Sequence, residues 1–226
     1  MAAPPVPRSQ TAAVEDYAKA IYSLTGWGQE TASTNDLADR LGFTAGSVSA
    51  MLKRLDEEGL VERVPYRGVR LTAEGTRVAL GVLRRHRLLE LFLAEVLEVP
   101  WEEVHAEAEV LEHALSEKLV ELIAEKLGDP EVDPHGDPIP SRDLAIHEGQ
   151  TLSLDQLEPG QQGTFVRISD SDSAMLRYLT DQGIAVGDEL ELIDRQPFDG
   201  PCTVRIDTTD HILGQKLAES MRIKPA

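Results

Sequence analysis

From Thr11 to Thr25 the apolar residues Val14, Tyr17, Ala20, Ile21 and Leu24 recur at helical spacing, so this stretch predicts an amphipathic helix. Gly26 to Glu30 breaks the pattern. A second helix follows with Leu37, Ala38 and Leu41 on one face, capped by Ser33 or Thr34 and ended by Gly42. Thr44 can cap a third helix carrying Val48, Met51, Leu52 and Leu55, which stops at Gly59. Two short β-prone runs, Leu60–Val64 and Val69–Leu71, then flank a Pro65–Gly68 turn and predict a hairpin. Three helices, a tight glycine turn and a small hairpin describe a winged helix-turn-helix, and the hairpin makes the pattern more specific than a bare helix–turn–helix.

From Thr72 to Leu127 the pattern is almost wholly helical. Leu80, Leu83, Leu88, Leu91, Phe92 and Val96 form one apolar stripe; Val104, Ala108, Leu111, Leu115, Leu119 and Ile123 form another. This is more apolar surface than a short helix pair hides by itself, and a self-complementary homodimer accounts for it. Gly128 to Gln150 is rich in Pro, Asp and Gly and reads as an ordered connection, since proline restricts it. Beyond Thr151 come short strands (GTFVRIS, DELELID, CTVRID), turns at Glu158–Gly160 and Phe198–Pro201, and one helix over Ser173 to Gln182. That alternation fits a small SH3-like β-barrel. The expected fold is mainly α with a small β part. Its divisions are a disordered arm over residues 1–10, a winged helix-turn-helix over 11–72, a helical dimerisation domain over 73–143, a linker over 144–150 and an SH3-like domain over 151–226.

The 226 residues suffice for two or three modest domains, and 41% hydrophobic with 27% charged residues is an ordinary globular balance. No apolar run approaches bilayer length and the Pro- and Ala-rich start lacks a signal-peptide core, so the expectation is a cytoplasmic protein without a membrane partner. The lone cysteine, Cys202, excludes an intrachain disulfide and a thiolate metal cluster, and reads as a small buried apolar residue. A formal charge of −18 argues against nucleic acid when taken over the whole chain. Locally it does not: between Arg40 and Arg70 the bases Arg40, Lys53, Arg54, Arg63, Arg67 and Arg70 exceed the acids Asp56, Glu57, Glu58 and Glu62. The acid excess lies downstream, where carboxylates can hold cations.

The chemistry concentrates in VHAEAEVLEHALSE, Val104 to Glu117. On a helix Glu109, Glu112 and His113 share one face, with His105 one turn earlier. His86 and Glu90 lie four apart on the preceding helix, and VEDY supplies Asp16 on the first. A Glu-x-x-Glu-His run on a helix is usually solvated charge. Two features favour a metal site here. His86, His105 and His113 each have a carboxylate one helical turn away, and Ala106, Ala108, Val110, Leu111, Ala114 and Leu115 place the charged face beside a core, where unneutralised carboxylates are costly. Carboxylate and imidazole without sulfur suit Mn²⁺ and, less well, Fe²⁺; structural zinc prefers cysteine.

A winged helix, HRLLE, EVHAEAEVLEH, DPHGDPIP and a small β domain, in that order, resemble the diphtheria-toxin-repressor family of metal-dependent regulators, over nearly the whole chain from about Val14. The family's iron branch uses a methionine near the start of the first helix and a cysteine on the second dimerisation helix. Asp16 and Glu109 stand at those places here, so the chain is similar to the manganese-sensing branch, the manganese transport regulators. The resemblance implies one metal position from Asp16, His86, Glu109, Glu112 and His113, and a neighbouring one with Glu90 and His105. It adds Asp133 and His135, where some manganese regulators read C-P-H-G and this chain reads D-P-H-G, and Asp172 in the C-terminal domain. Some short manganese regulators carry a glutamate where this chain has Lys19, which is a departure. The resemblance also makes Thr44 to Leu55 the recognition helix, with Thr44, Ser47, Ser49 and Lys53 facing bases or phosphates and Arg63, Arg67 and Arg70 serving the wing.

The resulting expectation is a repressor, not an enzyme. It binds palindromic double-stranded operator DNA as a homodimer, is switched by Mn²⁺ with Fe²⁺ as second candidate, takes no small-molecule substrate beyond metal ions and governs metal-homeostasis genes. An iron-dependent repressor of the same family is the near alternative. Two alternatives lie outside it: a dimeric metallohydrolase, against which stands the lack of H-E-x-x-H, and a dimeric scaffold with a merely solvated charged face.

Overall fold

The computed structural model describes residues 8–26, 30–147 and 149–226. Within them the chain forms two compact units. The first runs to His86 and adds Glu112–Leu115 and Pro140–Leu144; the second comprises Arg87–Leu111, Ser116–Ile139 and Ala145–Ala226.

In the first unit α1 (Arg8–Leu24), α2 (Thr34–Leu41) and α3 (Ala45–Glu57) precede the hairpin β1 (Val61–Val64) and β2 (Gly68–Leu71). The ends follow from local chemistry. Ser33 caps α2 in a box with Asp36, Gly42 closes it in the left-handed region, and the Thr44 hydroxyl accepts from the Ser47 amide at the start of α3. Tyr17, Ile21, Leu37, Val48, Leu52, Leu55, Val61 and Val69 form the core. Ala32 bridges to Val69, and this close approach requires Gly68: a Cβ there would collide with the Ala32 carbonyl. The helix α1 begins at Arg8, within the expected arm over residues 1–10; residues 1–7 lie outside the described residues.

α4 (Ala73–Leu97) starts in the first unit and ends in the second, which also holds α5 (Val104–Leu111) and α6 (Glu117–Lys126). The expected stripe from Val104 to Ile123 is not one face. A turn separates α5 from α6, so Val104, Ala108 and Ile123 are buried while Leu111 and Leu119 are exposed. Val96, Leu97, Val110 and Leu122 are exposed as well.

The C-terminal part has β3 (Leu152–Ser153), β4 (Gln162–Ile168), α7 (Ser173–Gln182), β5 (Glu189–Arg195), β6 (Cys202–Ile206), β7 (Thr209–Leu213), α8 (Gln215–Ser220) and β8 (Met221–Pro225). Its six strands are ordered β3-β8-β4-β5-β6-β7, antiparallel throughout. Here the expectation of a barrel is corrected. Among the described residues β3 pairs with β8 and β7 with β6, but not with each other, so the SH3-like sheet keeps two edges and is not closed. The whole is mixed α and β rather than mainly α. Phe165, Ile168, Leu176, Leu179, Leu192, Val204 and Ile223 fill the core, and Cys202 is buried there, as its reading as a small apolar residue requires.

Candidate metal centres

Each unit gathers its own carboxylate–imidazole cluster. In the first, Asp16 on α1 meets His113, with Oδ1 2.8 Å from Nε2. Glu15, one residue earlier, takes the other ring nitrogen, Nδ1, at 2.7 Å. Glu112 is fully buried and bridges: Oε2 is 2.6 Å from His86 Nδ1, and Oε1 is 2.7 Å from Lys19 Nζ and 3.3 Å from His113 Nε2. The residues come together because successive turns of α1 (Glu15, Asp16, Lys19) face the short segment that begins at Glu112. With a carboxylate on both nitrogens His113 is held as an imidazolium, its pKa raised to about 10 by the bonds to Asp16 and Glu15. Burial disfavours the Glu15 anion, yet His113 and Arg85, 2.7 Å away, prevail and lower its pKa. Ligand atoms of Asp16, Glu112 and His113 all lie within 4.8 Å of one another.

The second cluster is deeper. Glu90 on α4, Asp133 and His135 are buried and present ligand atoms within 4.8 Å of one another. His105 on α5 lies beside them, with Nδ1 3.1 Å from Glu90 Oε1 and 2.7 Å from Asp170 Oδ2. Burial alone would lower the His105 pKa, but Asp170 and Glu90 raise it to about 10. Burial, with Glu90 and Asp137 nearby, pushes the Asp133 carboxyl well above its usual range despite Arg87. The turn that carries His135 is built tightly. Asp133 Oδ1 accepts from the His135 and Asp137 amides at 2.9 Å each, and the Ile168 amide on β4 donates to the His135 carbonyl. Gly136, at φ 85°, permits that approach, since a Cβ there would collide with the Val166 carbonyl.

The donor set has a feature that a divalent cation satisfies. His135 Nε2 is 2.8 Å from the Trp101 carbonyl, which can only accept, so Nε2 carries a proton. The other nitrogen, Nδ1, is buried without a hydrogen bond and stands 4.0 Å from Glu90 Oε2 and from Asp133 Oδ1. A buried imidazole nitrogen that closes no hydrogen bond, facing two buried carboxylates, fits a divalent metal ion, for which imidazole and carboxylate are both suitable ligands.

The sequence-predicted ligands are thus divided. Asp16, His86, Glu112 and His113 fall in the first unit, and Glu90, His105, Glu109, Asp133 and His135 in the second. Glu109 is partly exposed, 3.7 Å from His105 Nε2. Among the described residues Asp172 joins neither cluster. Its exposed carboxylate accepts from the Ala174 amide at the start of α7 and pairs with Lys216 at 3.4 Å, whereas Asp170, two residues earlier, reaches His105. Glu15, Lys19, Arg85 and Asp170 were missed. Glu15 and Asp170 each neighbour a residue that was chosen, in VEDY and SDSD, and spacing alone does not say which acid faces the histidine. On α3 Ser47 and Ser49 are exposed and Lys53 pairs loosely with Glu57 at 3.7 Å, and Arg67 is exposed near the hairpin tip. Arg63 and Arg70 are partly engaged by Asp56 and Glu62.

Comparison with known proteins places the three parts of the chain. Residues 10–69 match the model for the iron dependent repressor, N-terminal DNA binding domain; residues 72–141 match the iron dependent repressor, metal binding and dimerisation domain; and residues 152–225 match the FeoA domain. The iron-dependent repressor IdeR of Mycobacterium leprae is 33% identical over 186 residues, which span 80% of this chain and 76% of that protein. The chain belongs to the diphtheria-toxin-repressor family of metal-dependent transcriptional repressors. Among solved structures of this family, a manganese-dependent transcriptional repressor in complex with manganese has 41% identity and a TM-score of 0.88, covering 94% of this chain and 100% of that one. The manganese regulator SloR has 32% identity and a TM-score of 0.77, covering 94% and 98%. These relatives are named as repressors and regulators, which sets aside the hydrolase alternative. No helix among the described residues is long and apolar enough to cross a membrane.

Proposed function

We propose that this chain is a manganese-activated repressor that binds palindromic operator DNA as a homodimer and controls metal-homeostasis genes. The observation that carries the reading is the sulfur-free cluster of Asp16, Glu112 and His113, which links the first helix of the DNA reader to the segment after α5. Residues 11–72 read DNA, 73–143 bind metal and dimerise through the exposed Val96, Leu97, Val110, Leu111, Leu119 and Leu122, 144–150 connect, and 151–226 form the FeoA-like domain. Ser47, Ser49 and Lys53 contact bases or phosphates; Thr44 caps the recognition helix and lies at the same surface; Arg63, Arg67 and Arg70 contact the backbone.

A divalent cation would take the place of the His113 proton and join Asp16, Glu112 and His113 directly. Asp16 then stays drawn to Glu112 and His113, and α1 keeps one orientation. Two readers held about one DNA turn apart match the two half-sites of a palindrome. Without the cation, ion pairs to Lys19 and His113 join α1 to this segment and the reader is held less firmly, so the difference in the cation's affinity between the two forms drives the switch.

An iron-activated repressor is the second reading, favoured by the likeness to IdeR. The test is binding of chelator-stripped protein to its own upstream DNA, titrated with Mn²⁺ and, anaerobically, with Fe²⁺. Tight binding with Mn²⁺ alone supports the proposal, activation by Fe²⁺ supports the alternative, and equal binding with and without metal sinks the switch.

A further inference from the structure

Trp101 is half-buried in the turn between α4 and α5, and packs against the C-terminal core. It touches the second cluster in two ways. Its main-chain carbonyl takes the Nε2 proton of His135, and its indole stacks on the His135 ring, with centroids 5.7 Å apart and planes 19° apart. A second hydrogen bond leads away: the indole Nε1–H donates to Thr180 Oγ1 on α7 at 2.7 Å, and the Thr180 hydroxyl donates onward to the Leu176 carbonyl at 3.2 Å. The polarity of that chain is fixed, because indole N–H only donates and a carbonyl only accepts. The same α7 is preceded by the turn that brings Asp170 to His105.

We propose that Trp101 is a positioning residue for the second metal cluster, holding His135 with its Nδ1 towards Glu90 and Asp133 and tying that orientation to α7 of the FeoA-like domain. The inference rests on the metal reading given under Proposed function. Ligand orientation set by such outer contacts is worth about ten- to a hundredfold in metal affinity. Stacking fixes the plane of the imidazole, the carbonyl fixes its tautomer, and Thr180 fixes the indole. A shift of α7 is therefore felt at His135 through Trp101 and at His105 through Asp170.

The test uses full-length, chelator-stripped protein. The chain has two tryptophans, so Trp27→Phe leaves Trp101 as the sole indole reporter. Mn²⁺ is titrated while free Mn²⁺ is counted by electron paramagnetic resonance and indole emission is recorded. Trp101 emission is expected to fall as one class of site fills, and His135→Ala to abolish that fall. Trp101→Ala is expected to weaken that class about tenfold and leave the other class unchanged. Trp101→Phe, which keeps the ring and the main-chain bond, recovers part of the loss, and Thr180→Val behaves like it; these two keep the test decisive should the alanine variant fail to fold. Both classes intact in all three variants, or both weakened equally, overturns the proposal while leaving the metal switch standing. A parent protein that takes up no Mn²⁺ overturns the metal reading and this inference with it.

Discussion

The two clusters solve the problem of crowded carboxylates differently. In the first, the chain brings its own cations: Lys19 sits on Glu112 and Arg85 on Glu15. Half of it is near water, with the Asp16 side chain 40% exposed and that of His113 19%. In the second, His135 is completely buried and one of its nitrogens closes no hydrogen bond. Arg87 stands off at 3.8 Å from Asp133 and 3.5 Å from Asp137. A shallow, internally neutralised cluster can persist while it exchanges a cation, as a switch requires. A deep one with an imidazole nitrogen that closes no hydrogen bond gains more from a cation and is expected to hold it longer.

The harshest way to break the comparison is Glu112→Ala. It removes the buried acceptor shared by Lys19 and His86, so stability is expected to fall by about 3–5 kcal/mol in chemical denaturation, with metal-dependent DNA binding abolished. Next is the double variant Asp16→Met with Glu109→Cys. Sulfur donors are softer, so activation of DNA binding is expected to shift from Mn²⁺ towards Fe²⁺ in an anaerobic titration, and an unchanged metal preference would sever ligand hardness from selectivity. A finer contrast sets Asp170→Asn against Asp172→Asn. The first should weaken Mn²⁺ binding about tenfold, as loss of a ligand or its close support does; the second should leave it unchanged, because Asp172 only caps α7 and pairs with Lys216. The smallest effect is the pH response of chelator-treated protein. The raised His113 pKa gives stability that is complete below about 6.5 and lost as the pH climbs through about 10, while the lowered Glu15 pKa gives stability that is present above 4.5 and lost on acidification. Thermal melts across that range should show a plateau between the two flanks, and Asp16→Asn should lower the alkaline flank.

Local signals carried much of the architecture. The period of apolar residues marks α1 to α4, Ser33, Gly42 and Thr44 mark helix ends, and a Pro–Gly turn marks the hairpin, because each depends on neighbours a few residues away. The same locality explains the misses. β7, α8 and β8 are short and lack a clear period, and their stability comes from pairing with distant strands. Closure of a sheet depends on which edges meet, which no strand's own pattern reports.

The candidate ligands divide in the same way. Composition and helical spacing were enough to single out Asp16, His86, Glu90, His105, Glu109, Glu112 and His113, and to prefer a hard, oxygen-loving metal, since residue type and helix geometry are properties of short stretches. Which of two neighbouring acids in SDSD turns towards His105, that Lys19 rather than solvent neutralises Glu112, and that a tryptophan carbonyl sets the tautomer of His135, were decided by the tertiary structure alone. These contacts join residues tens of positions apart, and their existence depends on the path of the backbone between them, which sequence spacing does not contain.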